Sequence, residues 1–564
     1  MFFRRSPLLI LFAAGLLFTA CSSEISGPQG EQIAGKSALA MPDKYAAQVS
    51  EDILRAGGNA VDAAIAAGFA LAVTYPEAGN IGGGGFMLIH MNGEDTFLNY
   101  RETAPLAAHR DMYLDEKGDV LEGASLHGIM AAGVPGTVAG FWSAYQRFGT
   151  LPWKDLLAPA IELAENGFLV SEELANRRIE YSATHAGKTN FDKYFGHMAA
   201  GEIFRQADLA NTLRRIAENS VDDFYSGQTA ELTVEFMKQN DGLITAEDLT
   251  RYMAVWRKPI KSDWRGYTVV SAPPPSSGGF AVTQLLKMKE YIDHHFQDLP
   301  HNSPQYIHLI AEIEKRVFAD RAEYLGDPDY VDVPIEELLD DDYIAMRAEE
   351  TNAEEISRVD GVPPGLESHN TIHYSLADRW GNAVSNTYTI NDWFGSGVVV
   401  RGAGFLLNGE MDDFSVKPGV PNLYGVVGKT SNEIQPGKRM LSSLSPTILL
   451  KDGEVSIVLG ALGGSTIFTS VFQTIINLVD FNMTAESAVA ATKFHHQLLP
   501  PDLITYTPQT PFPRETISAL GDRGYRAEPH FFLFGDVQLI VREGDDIQAA
   551  SDPLYRGESR IVTH

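Results

Sequence analysis

The sequence predicts a layered α+β protein, and three observations carry that prediction. The segment Ala60 to Val73 is alanine-rich and apolar on nearly every face, so it belongs in an interior. Two strand-like runs, Phe86 to Met91 and Thr96 to Arg101, flank Asn92-Gly93, the dipeptide of a tight hairpin turn. Beyond residue 350 further paired strands precede helices, the pattern of helices laid on a sheet.

The N-terminus carries Arg4 and Arg5, an apolar run from Leu8 to Phe18, then Thr19-Ala20-Cys21, which together read as a secretory signal over residues 1–20. The run is shorter than the ~20 apolar residues of a spanning helix. Cys21 is the only cysteine, so a disulfide within the chain is excluded. Leu17 to Cys21 resembles a lipobox, with Phe18 where leucine is usual. Two outcomes stay open: lipidation of Cys21, anchoring an exported periplasmic protein to a bacterial membrane without spanning it, or ordinary cleavage and release. Residues 21–32 then read as a short tether.

Lys44 to Ala56 reads as a helix stopped by Gly57-Gly58, and Asn59 caps the next helix, which ends before Pro76. The hairpin follows and leaves Arg101 at a strand end. Helices are predicted over Thr137 to Phe148, from the capping box Thr245-Ala246-Glu247-Asp248, and over Ser303 to Tyr324. Glu349 to Ser368 is charged, then proline- and glycine-bearing, and marks a boundary. After it, Thr371 to Ala377 and Ala383 to Asn391 flank a turn at Arg379 to Asn382, and Pro446 to Lys451 and Glu454 to Leu462 flank Asp452-Gly453. Helices are expected at Ser465 to Val479 and Ala485 to Lys493.

Composition removes several function classes. At 564 residues, 44% hydrophobic and 10% aromatic, this is a packed globular chain of two-domain length or more. Its 44 Lys and Arg against 74 Asp and Glu give a charge of −30, which repels nucleic acid. Gly79 to Gly85 lacks the Gly-Lys-Ser/Thr ending of a phosphate-binding loop. His495-His496 are adjacent and so splayed apart, and no His, Cys and carboxylate cluster has metal-ligand spacing. Neither metal nor cofactor is expected.

Several segments in order resemble the γ-glutamyltransferase family, also called glutathione hydrolases, among the N-terminal nucleophile hydrolases. They are Gly57 to Ala64, Gly82 to Phe86, Arg101-Glu102-Thr103-Ala104-Pro105, Pro273 to Gly279, Thr371-Ile372-His373-Tyr374, Met411 to Ser415, Ser442 to Pro446 and Gly463-Gly464-Ser465, spanning about Ile33 to the end. The resemblance implies a four-layer αββα sandwich. It also implies a precursor that cuts itself into a large fragment, residues 33–370, and a small one, residues 371–564, which remain together as a heterodimer. The reaction implied is cleavage of γ-glutamyl amides such as glutathione, with transfer to water or to an amino-acid or peptide acceptor. The alternatives are a related cephalosporin or glutaryl acylase, and a non-catalytic surface lipoprotein.

Thr371 is the nucleophile in this reading. Its hydroxyl would attack the carbonyl of Asn370, and hydrolysis of the resulting ester would free the Thr371 α-amine. That amine has a reference pKa of ~7.7–8.0, so near neutral pH it can take the hydroxyl proton. The resemblance gives Thr389 the task of orienting Thr371, a role compatible with a cross-strand threonine pair. His373 shares the strand face of Thr371, but an interior histidine is the favoured reading. Gly463 and Gly464, between a strand and a helix, offer two unobstructed N–H groups to an oxyanion, with Leu462 standing where bacterial members have proline. A γ-glutamyl group presents a carboxylate and an ammonium: Arg101, Ser442 and Ser443 suit the first, and Asn391, Glu410 and Asp413 the second. Glu410 replaces the glutamine of some members. Lys417 to Lys438, with Tyr424, resembles the lid over the donor site.

Overall fold

A computed structural model describes residues 35–358, 371–417, 430–498 and 500–564. The signal, the tether, Cys21, Asn370 and Tyr424 lie outside them.

Thirteen strands build two antiparallel sheets. In chain order they are β1 (Lys36–Met41), β2 (Gly84–Met91), β3 (Glu94–Asn99), β4 (Val255–Arg257), β5 (Ile260–Trp264), β6 (Tyr267–Ser271), β7 (Thr371–Ala377), β8 (Ala383–Thr389), β9 (Thr447–Lys451), β10 (Glu454–Ala461), β11 (Val537–Glu543), β12 (Asp546–Ser551) and β13 (Glu558–Thr563). The first sheet runs β13-β1-β7-β8-β2-β3-β4 and the second β12-β11-β10-β9-β6-β5. Both sheets therefore contain strands from either side of residue 370: β7 lies between β1 and β8, and β9 between β6 and β10. The change of texture near residue 350 marks a point in the chain and not a seam between domains.

The helices that matter for the site are α1 (Lys44–Arg55), α2 (Ala60–Thr74), α3 (Thr137–Phe148), α4 (Trp153–Asn166), α5 (Gly278–Tyr291), α6 (Pro304–Tyr324) and α7 (Thr466–Val479). One apolar cluster joins α1 to α4 with the outer face of the first sheet, including Ile372, Tyr374 and Tyr388. A second fills the space between the sheets and continues to α5, α6 and α7. The order helices, sheet, sheet, helices is the expected αββα stack.

All fifteen residues of α2 are buried, as its uniform apolarity predicts. Asn59 and Asp62 close a capping box at its start. This helix carries the central strands: the Tyr374 hydroxyl donates to the Ala64 carbonyl at 2.9 Å, and that of Tyr388 to the Gly68 carbonyl at 2.9 Å. Gly68 cannot become larger, because a Cβ there would lie 2.3 Å from the Phe141 ring and 2.9 Å from the Tyr374 hydroxyl. Two boundaries differ from expectation. The hairpin runs Glu94–Asn99 in its second strand, so Arg101 sits two residues past the strand, its N–H taken by the Asn99 side chain at 3.0 Å. The helix expected to reach Lys493 stops at Ala490, because the Lys493 N–H instead donates to the Thr507 hydroxyl, its carbonyl accepts the Thr507 N–H, and the chain leads into the short strand Phe494–His495.

Candidate active site

The site forms where β7 and β8 present their ends to one rim of the two-sheet core. Thr371, first residue of β7, lies directly opposite Thr389, last residue of β8. Directly opposed residues of an antiparallel pair bring Cβ atoms to about 5 Å, within reach of hydroxyl contact. Both are buried, 4% and 3% exposed. The Thr389 hydroxyl accepts the Asn391 N–H at 2.8 Å, and its carbonyl accepts the Asn80 amide at 2.9 Å. Asn80 spends its remaining capacity on Gly83 N–H and the Thr137 hydroxyl, so one buried amide from the large part of the chain fixes the end of β8.

The turn Leu462 to Ser465 links β10 to α7. Gly463 and Gly464 adopt φ of 131° and 58°, and a Cβ on Gly463 would meet the Thr466 hydroxyl at 2.2 Å. The Gly463 carbonyl turns toward the helix and accepts from Thr466 N–H at 3.1 Å and the Thr466 hydroxyl at 2.7 Å. The amides of Gly463 and Gly464 meet no backbone acceptor among the described residues, and they sit at a helix N-terminus that favours negative charge. Leu462 donates its N–H to the Asp536 carbonyl at 3.2 Å, a bond proline would forbid, so the turn is tied to β11 through the backbone instead of by a ring.

A cavity of about 250 Å³ is lined by Arg101, Thr371, Thr389, Asn391, Glu410, Asp413, Ser442, Ser443 and Gly464, with Leu444 and Ile467 as apolar wall. Gly463 lies one residue behind it. Arg101 is fully buried and pairs with Glu410 at 2.8 Å, with Glu102 at 3.5 Å and with Asp413. Arg101 and Glu102 are both interior. Burial opposes the charge of Arg101, but Glu410, Asp413 and Glu102 outweigh it and hold the guanidinium protonated. Burial raises all three carboxyls above their usual range, against the pull of Arg101. The residues assigned to carboxylate and to ammonium thus bind one another. Asn391, with φ of 75°, donates its amide to the Gly409 carbonyl at 2.7 Å, and its Oδ1 is buried with no partner among the described residues, an acceptor open to a ligand.

Several members of this constellation carry no local sequence signal. Arg321, in the last turn of α6, donates to the Ser277 hydroxyl at 2.9 Å and reaches the Ser443 hydroxyl at 3.4 Å. Burial lowers it to about 10, with Asp413 opposing, so it remains a cation behind the serine pair. Asn408 receives the N–H of Glu410 at 3.1 Å and of Gly133 at 2.8 Å, and donates to Gly82 and Gly133 carbonyls. His373 faces the interior between the sheets, its ring nitrogens held by Thr387 at 2.8 Å and Ser375 at 3.0 Å, and burial lowers it to about 3. It is an interior histidine with no nitrogen directed at Thr371. Asn370 and Tyr424 lie outside the described residues. Among those residues no group of His, Cys, Asp or Glu could hold a metal ion.

Asp412, beside the cavity, supplies a pH signature. Its carboxyl accepts from the Ser125 hydroxyl, and burial raises it to about 7 from a usual 3.8. A raised folded-state pKa means that the folded chain holds this proton more tightly, so the contribution to stability is complete below about pH 4 and lost as pH rises to about 7. Asp412→Asn is expected to flatten that part of the melting-temperature profile. An unchanged slope between pH 4 and 7 would show that Asp412 is ionised throughout.

Comparison with known proteins bears on what this arrangement does. The sequence model described as Gamma-glutamyltranspeptidase matches residues 46–562. The glutathione hydrolase proenzyme of Pseudomonas aeruginosa is 56% identical over 525 residues, covering 93% of this chain and 94% of that protein. That of Escherichia coli is 42% identical, covering 96% of each. Among solved structures, a cephalosporin acylase from Bacillus halodurans superposes with a TM-score of 0.80 at 27% identity, covering 94% of this chain and 98% of its own. A chain of the enzyme from Pseudomonas nitroreducens complexed with L-DON gives 0.56 at 54% identity, covering 59% and 97%.

Proposed function

The chain belongs to the γ-glutamyltranspeptidase family, and from that premise we propose that Thr371 is its nucleophile, freed by cleavage after Asn370. The protein is a γ-glutamyltransferase with glutathione hydrolase activity, made as a proenzyme. Thr371 Oγ attacks the γ-carbonyl of the donor while its own α-amine takes the proton. The Gly463 and Gly464 amides hold the oxyanion, and the amide nitrogen leaves with that proton. A γ-glutamyl ester on Thr371 results, and water or an acceptor amine attacks it in turn, returning the hydroxyl.

The observation that carries this reading is the cavity in which Thr371 and Gly464 share walls with Arg101, Glu410 and Asp413. A zwitterion entering between Arg101 and its carboxylates exchanges ion pairs without adding net charge: the donor carboxylate takes Arg101, Ser442 and Ser443, and its ammonium takes Asp413, Glu410 and Asn391. A glutaryl group keeps a carboxylate for Arg101 but, lacking the ammonium, would draw Arg101 from Asp413 and Glu410 and give those carboxyls no cation in return. Charge-assisted hydrogen bonds contribute about 1.5–3 kcal/mol each, so kcat/KM for γ-glutamyl anilide should exceed that for glutaryl anilide by about 10²-fold or more. Equal rates would place the chain with the acylases. The two fragments are expected to stay associated. Export with lipidation at Cys21 is the proposed localisation, and a mature N-terminus lacking the lipid mass would show release instead.

A further inference from the structure

We propose that His373 and Gly460 form a spacer between the sheets that sets the distance from the nucleophile to the oxyanion turn, an inference that rests on Thr371 and Gly463-Gly464 having those roles. His373 is two residues into β7 from Thr371, and Gly460 lies on β10 three residues before Gly463. The imidazole lies flat on the bare backbone of Gly460, where a Cβ would stand 2.3 Å from Cε1 and Nδ1 and 2.8 Å from Cγ. That approach is closer than any real Cβ contact, so the ring and the glycine fix the separation of the two strands at this point. Gly460 has no need of left-handed backbone, and the glycine is explained by this contact.

The ring cannot swing away, because both nitrogens are held. The Ser375 hydroxyl gives its proton to the Gln538 carbonyl of β11 at 2.9 Å, so it must accept from His373 Nε2–H at 3.0 Å. Nδ1 then carries no proton and accepts from the Thr387 hydroxyl at 2.8 Å. The imidazole is thus neutral and of one tautomer. Gln538 is the strand partner of Gly460, so the ring and Ser375 grip adjacent positions on the opposing sheet. One row further, the Ser385 hydroxyl donates to the Leu459 carbonyl at 2.9 Å and accepts Thr447 N–H at 3.0 Å. Most substrate-binding side chains lie elsewhere: Arg101 follows β3, Glu410, Asp413, Ser442 and Ser443 precede β9, and Asn391, just past β8, is held to the Gly409 carbonyl. A change in the spacer moves the reacting atoms against the oxyanion donors and leaves the donor pocket in place.

The test uses the full chain with Gly460→Ala, His373→Ala, His373→Gln and the double Gly460→Ala/His373→Ala, assayed with γ-glutamyl anilide per molecule cleaved, as read on a denaturing gel. Gly460→Ala is expected to lower kcat by about 10²-fold with KM within about 2-fold, the signature of displaced reacting groups. Adding Gly460→Ala to His373→Ala should cost no further kcat, since the methyl enters the space the ring has left. His373→Gln should keep the acid limb of the pH–kcat profile. Parental kcat in Gly460→Ala, a KM rise in place of a kcat loss, an equal fall on adding Gly460→Ala to either background, or loss of the acid limb in His373→Gln would each overturn the spacer. Should Gly460→Ala give no soluble protein, the double variant against His373→Ala decides alone. A parent chain without turnover would overturn the nucleophile assignment beneath it.

Discussion

Thr371→Ala is expected to yield one uncleaved chain and to reduce γ-glutamyl transfer by about 10⁴-fold or more, the scale seen when a covalent nucleophile is removed. Both losses follow from a single atom. The Thr371 hydroxyl is the group that would open the Asn370–Thr371 bond, and without that opening no α-amine exists to activate a hydroxyl. The residue lies in the cavity with Thr389 opposite and Gly464 across from it, so its replacement removes reactivity without disturbing the strand pairing of β7. Thr371→Ser should separate the two functions from folding, since it keeps the hydroxyl and should cleave. A gel showing two fragments from Thr371→Ala would sink the assignment.

Substitution of Arg101 should produce the largest effect on donor affinity. Arg101→Lys keeps a cation but loses the two-pronged geometry, and kcat/KM should fall by about 10²-fold, equivalent to about one to two charge-assisted hydrogen bonds. Arg101→Leu goes further, leaving Glu102, Glu410 and Asp413 together in the interior with no cation. Breaking a buried pair by removing one partner costs about 3–5 kcal/mol. Proton uptake by the carboxyls relieves part of this. Because their folded-state pKa values are raised, stability falls as pH rises, so the Arg101→Leu penalty in melting temperature should be larger at pH 8 than at pH 5.5. A penalty independent of pH would show that the three groups are not held as a proton-sharing cluster.

How much of this was legible follows the range of the contacts. The Asn92-Gly93 hairpin and the wholly buried α2 could be read because their signals are local: a turn dipeptide in one case, uninterrupted apolarity in the other. The ends of β7 and β8, the hairpin of β9 and β10 and the glycine turn after it were likewise visible. The strands β1 and β13 went unread because they gain their partners from distant chain, pairing with each other across the whole sequence; β11 and β12 went unread although they form a local hairpin. The site divides in the same way. Arg101 and Asp413 are 312 residues apart, and only resemblance to a family joined them; that Arg101 pairs with its own pocket carboxylates follows from burial, which sequence does not state. Arg321 sits in an ordinary helical stretch, and Asn80 and Asn408 are single amides in loops, so nothing short of the folded chain reveals what they hold. Gly460 is a strand residue by its sequence neighbours, and the histidine ring that requires it to be glycine comes from a strand of the other sheet.

The sharing of both sheets between strands from the two sides of residue 370 bears on how a cleaved enzyme would fail. Before cleavage, unfolding and refolding are events within one molecule. Cleavage after Asn370, as proposed, would leave the same sheets shared by two polypeptides, neither of which holds a complete sheet, so unfolding would release two species that must meet again. Recovery after heat or denaturant would then be second order in protein, dependent on concentration and exposed to aggregation. Maturation would thus trade reversibility for reactivity, and the enzyme's lifetime would be governed by the rate at which it first opens.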